Sequence, residues 1–142
     1  MFKEILKKAA GAHGPFANEK LENFPKGYFL IPFNLPYLVG LSLHHPRSSE
    51  LGLSDEQIRE ISRIKERTVP VVLKKARRIK DLELQMLEEM ERHPYDSKRL
   101  HPLVEKIAKM RKELTEEHLK CIAAVRKILT DKQYETIKTW NE

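Results

Sequence analysis

Through most of the chain, apolar positions recur at steps of three and four, the period of one face of an α-helix. Ile58, Ile61, Ile64 (or Lys65), Thr68, Val72, Ile79, Leu82, Met86 and Met90 trace one such face. The spacing predicts a single helix from residue 55 to about 92, roughly 55 Å long at 1.5 Å per residue. Pro70 lies inside it and should bend it, because its ring removes one backbone bond and crowds the preceding turn. Leu103, Ile107, Met110, Leu114, His118, Cys121, Val125 and Ile128 alternate by four and three, a heptad-like seam. Between the two runs, His93-Pro94-Tyr95-Asp96-Ser97 reads as a turn, with Asp96 or Ser97 as the next cap and Pro102 in the first turns of the second helix. Two long helices joined so briefly lie antiparallel.

Two near-copies of one phrase mark helix starts: Leu53-Ser54-Asp55-Glu56-Gln57 and Leu129-Thr130-Asp131-Lys132-Gln133. Each is a capping box. The Ser54 or Thr130 hydroxyl takes an orphan amide, and Gln57 or Gln133 reaches back to the cap residue's own amide. Asp55 and Asp131 add negative charge where the helix dipole favours it. The second box opens a short closing helix, residues 131–140. Upstream, Phe29, Ile31, Phe33, Leu35, Leu38 and Leu41 need covering. A short helix capped by Asn34, with Pro36 in its first turn, runs towards His44 and ends or kinks at Pro46. Residues 1–33 form an arm, partly extended or mobile, with a short helix over residues 2–10 stopped by Gly11. Residues 34–142 form the helical domain.

The predicted fold class is therefore all-α: a long bent antiparallel hairpin with short helices at its ends. Charged residues make up 34% of the chain and aromatics 7%, which suits amphipathic helices with narrow apolar seams better than a thick core. A hairpin this thin leaves Val69, Leu73, Leu84 and Leu87 beyond its seam, so a second copy is the economical cover and a homodimer is expected. No run is apolar and long enough to span a bilayer. The first eight residues lack the apolar segment of a secretory signal, which by itself points to the cytoplasm.

Chemistry-bearing residues are few. Nothing resembles a catalytic site: there is no Gly-rich phosphate loop, no nucleophile–base order and no paired carboxylates in a rigid cleft, so the chain reads as a non-enzyme. Cys121, the sole cysteine, lies one helical turn after His118, and imidazole with thiolate suits zinc, copper, nickel or cobalt. Both also occupy the apolar seam, where a small hydrophobe and a hydrogen-bonded histidine are the simpler reading. His44, His45 and Glu60 are further candidate ligands, although adjacent histidines on a helix point apart. No cofactor is required.

The net charge is +6. Much of the positive charge falls on the first long helix, where Arg63, Arg67, Lys74, Arg77 and Arg78, with Leu73 among them, make a candidate surface for an acidic partner. The plainer alternative is a solvated face paired with Glu105, Glu113, Glu116 and Glu117 of the opposite helix. Nucleic acid is a third possibility, argued against by the lack of interleaved aromatics or a recognition motif.

A short helix, a long helix opened by Leu-Ser/Thr-x-x-Gln, a tight turn, and a second long helix ending in Arg126-Lys127-Ile128-Leu129-Thr130-Asp131-Lys132-Gln133 together resemble the Spy/CpxP group of LTxxQ proteins. That group includes heavy-metal-resistance sensors of the CnrX type. The likeness covers residues 34 to about 140. It implies a periplasmic, all-helical homodimer shaped as a bent cradle, and within it a client-binding surface for unfolded segments at Arg63, Arg67, Lys74, Arg77, Arg78 and Leu73. Its members are ATP-independent chaperones, envelope-stress regulators or metal sensors working with a membrane-bound signalling partner. The sensor branch carries a His and a Met, four apart, just before the Arg of the final motif. Here those positions are Cys121 and Val125, so one candidate ligand is kept with changed chemistry and the other is lost.

Overall fold

Both predicted helix starts have the same backbone geometry: Ser54 and Thr130 are extended at φ −71°, ψ 160°, and each closes a complete capping box. The computed structural model describes residues 25–32, 35–92 and 96–140. Among the described residues four α-helices follow in order: α1 Leu38–His44, α2 Asp55–Glu91, α3 His101–Ile128 and α4 Asp131–Lys138. Among the described residues there is no strand. The long helices α2 and α3 pack antiparallel, with the short helices towards the chain ends.

Local chemistry accounts for the boundaries. Helix α1 begins at Leu38, after Pro36 rather than around it, and no side chain caps it. The proposed cap Asn34 lies outside the described residues, as do the predicted helix over residues 2–10 and turn residues 93–95. Helix α1 stops at His44 because His45 precedes Pro46 and is extended (φ −66°, ψ 143°). A 3₁₀ turn, Ser48–Leu51, then ends at Gly52, whose φ of +63° is left-handed. A Cβ there would meet nothing within 4 Å, so backbone conformation alone calls for glycine. Helix α2 passes through Pro70 unbroken. Pro70 and Glu66 are both exposed, so water can take the Glu66 carbonyl that loses its amide partner. Asp96 accepts from the Lys98 amide at 3.0 Å and caps a 3₁₀ turn, Ser97–Leu100, from which α3 continues with Pro102 in its first turn.

Burial is organised in two clusters. One joins α1 to the end of the hairpin that carries both boxes: Leu38, Val39, Leu41, Ile61, Ile64, Cys121, Val125, Leu129, Ile137 and Trp140 are buried together with Leu51. The other fills the middle of the hairpin with Val72, Ala76, Ile79, Leu82, Ile107 and Leu114, and takes in Phe29 from the N-terminal segment. Each fully buried large side chain contributes about 1.5–3 kcal/mol, which makes these clusters the main reason the helices stay paired. Two predicted seam positions differ. Ile58 and Met90, near the ends of α2, are 40% and 46% exposed; at the first of these ends Gln57 and Ile61, not Ile58, are turned towards α3 and α4. Ala76, absent from the predicted seam, is buried. The expected overhang residues Val69, Leu73, Leu84 and Leu87 are half-buried.

Candidate functional site

The two boxes meet. Gln57 Nε2 donates to Gln133 Oε1 at 2.8 Å and to the Ile128 carbonyl at 2.9 Å. In return Gln133 Nε2 donates to Gln57 Oε1 and to the Leu51 carbonyl, both at 3.2 Å. Each Oε1 also accepts from its own cap amide at 2.9 Å. Both carboxamides therefore use two donors and two acceptors, their full practical capacity. The same side chain that starts each helix also ties it to the other, fastening residues 71 to 82 apart in sequence. Nothing in one box alone signals this; the repetition of Gln at the same box position is the only sequence clue.

Cys121 and His118 share a buried patch, as their place in the seam predicts. They line, with Pro25, Tyr37, Thr68, Val69, Val72 and Leu73, a pocket of about 20 Å³, enough for a single water. Burial pushes the Cys121 thiol up to about 11, outweighing a hydrogen bond with Thr68 and the positive charge of Arg67. At neutral pH it is a thiol, not the thiolate a metal takes. The His118 ring stacks on Phe29, with centroids 4.7 Å apart and planes 14° from parallel.

The other metal candidates are engaged separately. Lys65 Nζ donates to His44 Nε2 at 2.6 Å, and burial followed by the Lys65 charge lowers the His44 pKa. His45 stacks on Trp140 at 4.4 Å and accepts the Arg47 amide at Nδ1, 3.0 Å away. Burial, then Arg47, lowers its pKa, with Glu50 opposing. Glu60 is half-buried on the first turns of α2. Among the described residues, no group of three His, Cys, Asp or Glu side chains is placed to hold a metal ion.

The basic face is present and largely unneutralised. Arg63, Arg67, Lys74, Arg77 and Arg78 are all exposed. Among the described residues none of them forms an ion pair within 4.0 Å; from the basic run only Lys75 reaches across, to Glu117 at 4.0 Å. Glu116 pairs instead with Lys112 of its own helix. Exposed Val71 lies within this face, and half-buried Leu73, beside the Cys121 pocket, borders it. The expected pairing with α3 acids therefore accounts for one cation, and the remainder face solvent.

One contact set had no sequence signal. Arg111 on α3 is paired with Glu83 of α2 and donates from Nη1 to the carbonyls of Gly27 at 2.8 Å and Phe29 at 3.3 Å. The Thr115 hydroxyl accepts the Leu30 amide at 2.8 Å and donates to the Arg111 carbonyl at 2.8 Å. These bonds go to backbone, so no residue type in the N-terminal segment announces them. No helix among the described residues is long and apolar enough to cross a membrane. Compared with protein-family models, curated proteins and solved structures, the chain matches none.

Proposed function

We propose that this chain is a Spy/CpxP-like holding chaperone of the cell envelope, working as a homodimer that binds unfolded protein segments without nucleotide. The observation that carries the reading is the exposed face of α2, where five cations that form no ion pair among the described residues stand beside exposed Val71 and half-buried Leu73. Unpaired surface charge attracts an acidic, unfolded chain over about one Debye length, roughly 8–10 Å at moderate salt. Val71 and Leu73 then offer apolar contact without a deep pocket, so release stays easy. The glutamine clasp supports the same reading, since both LTxxQ-type boxes contribute equally to one joint and hold the hairpin that presents the face.

Metal holding is the weaker reading. Among the described residues no three His, Cys, Asp or Glu side chains are grouped to hold an ion, and Cys121 and His118 are engaged apart from His44 and His45.

The test is aggregation of a reduced, acidic client followed by light scattering, with purified protein at equimolar ratio and no nucleotide. Suppression is expected, and the protein alone should have the mass of two chains by static light scattering. A folded protein that protects none of several clients overturns the reading, and a single-chain mass overturns the dimer.

A further inference from the structure

The segment over residues 25–31 is bound to the hairpin in the manner of a short peptide. Its Phe29 side chain is buried to 2% exposure between the helices, while neighbouring Leu30 and Ile31 are 51% and 48% exposed. The segment includes a 3₁₀ turn, Lys26–Tyr28, with a turn bond from the Tyr28 amide to the Pro25 carbonyl. Two hairpin side chains, Arg111 and Thr115, bond to its backbone, as described above. On the receptor side, Arg111 also pairs with Glu83 and the Thr115 hydroxyl also donates to the Arg111 carbonyl, bonds that do not involve the segment, whereas Phe29 fills part of the mid-hairpin cluster. Departure of the segment would strand no buried charge, and its own carbonyls and amide would return to water.

We propose that the groove marked by Arg111, Thr115 and the Phe29 cavity is a binding site for short peptide segments carrying an aromatic side chain, and that residues 25–31 are its resident, displaceable occupant. Recognition combines backbone hydrogen bonds, which read no sequence, with one aromatic anchor, which does. A client segment with a Phe or Tyr competes for the same carbonyl and amide contacts. The closed segment lowers apparent affinity by the fraction of time the groove is open. This rests on the client-binding reading and adds to it the place and chemistry of one contact.

The experiment uses the full chain and a fluorescent peptide copying residues 27–32, Gly-Tyr-Phe-Leu-Ile-Pro, with fluorescence anisotropy as readout. Phe29→Ser should empty the cavity and tighten peptide binding by about tenfold or more, as expected where the groove is open one part in ten. Thr115→Val in that background should reverse most of the gain, and a peptide with Ala for Phe should not bind. A second readout covers poor folding of the Phe29 variant: in the unaltered protein, an unfolded client should speed hydrogen exchange of the Leu30 amide. If the protein suppresses aggregation, yet Phe29→Ser gains no peptide affinity and Leu30 exchange ignores the client, the groove inference falls and the chaperone reading stands. If no client is protected but Phe29→Ser binds the peptide, the groove stands and the chaperone reading falls.

Discussion

Replacing Gln57 by Glu separates the two jobs of the clasp. Glutamate at the third helical position serves a capping box as well as glutamine does, so the bond from the Ser54 amide is kept. What changes is the Nε2 side. Two donated bonds, to Ile128 O at 2.9 Å and Gln133 Oε1 at 2.8 Å, become an oxygen facing two oxygens. Two lost bonds contribute about 0.5–1.5 kcal/mol each, and a half-buried carboxylate against acceptors adds about 1 kcal/mol more. Allowing for water at this partly buried site, the cost is about 2–4 kcal/mol, or roughly 10 °C in Tm for a chain of this size. Thermal unfolding by circular dichroism reads it directly, and Gln133→Glu should match it.

The pH dependence supplies an internal control. A carboxyl facing acceptors has its folded pKa raised above the unfolded value. The deficit of Gln57→Glu is therefore full at neutral pH and shrinks as pH falls through the folded pKa, where a regained proton can donate again. A variant within about 1 °C of the parent at neutral pH would refute the claim that the cross-bonds stabilise the hairpin.

Cys121 should react with alkylating reagent about a hundredfold more slowly than a free thiol on ionisation alone, since burial moves it from its ordinary 9.0 to about 11. Because the unfolded chain gives up that proton first, stability should also fall as pH rises from about 9.0 towards about 11; Cys121→Ser should remove that dependence in alkaline melts. Leu114→Ala, at a position with 0% exposure in the mid-hairpin cluster, should cost about 2–5 kcal/mol in urea unfolding, whereas a loss under 1 kcal/mol would show that the cluster is not close-packed.

Much of the fold was legible because its determinants are local. The Ser54 and Thr130 boxes fix their helix starts through residues three apart, and Pro46 fixes the end of α1 through its neighbour. The apolar period of α2 and α3 placed Ile61, Val72, Ile79, Leu114, His118 and Cys121 inside, where they lie. Misses came where tertiary reach decides. Ile58 and Met90 continue the period of α2 yet stay exposed, and beside Ile58 it is Gln57 that is turned to the end of α3. The glutamine clasp joins positions 76 apart, and the Arg111–Thr115 contacts address backbone carbonyls and an amide, so neither leaves a local pattern. For the site, the basic run was visible, but that α3 acids neutralise only Lys75 depends on rotamers and helix register.

If unfolded protein is held on the outward face of α2, as proposed, site-specific photo-cross-linking will find it there. A cross-linker at Lys74, among the unpaired cations, is compared with one at Lys109, exposed on α3, each in the presence of a permanently unfolded acidic client. Client adducts should form from Lys74 several-fold more than from Lys109 and should decline as salt screens the face. Equal yields from both positions, or a preference for Lys109, would contradict the account.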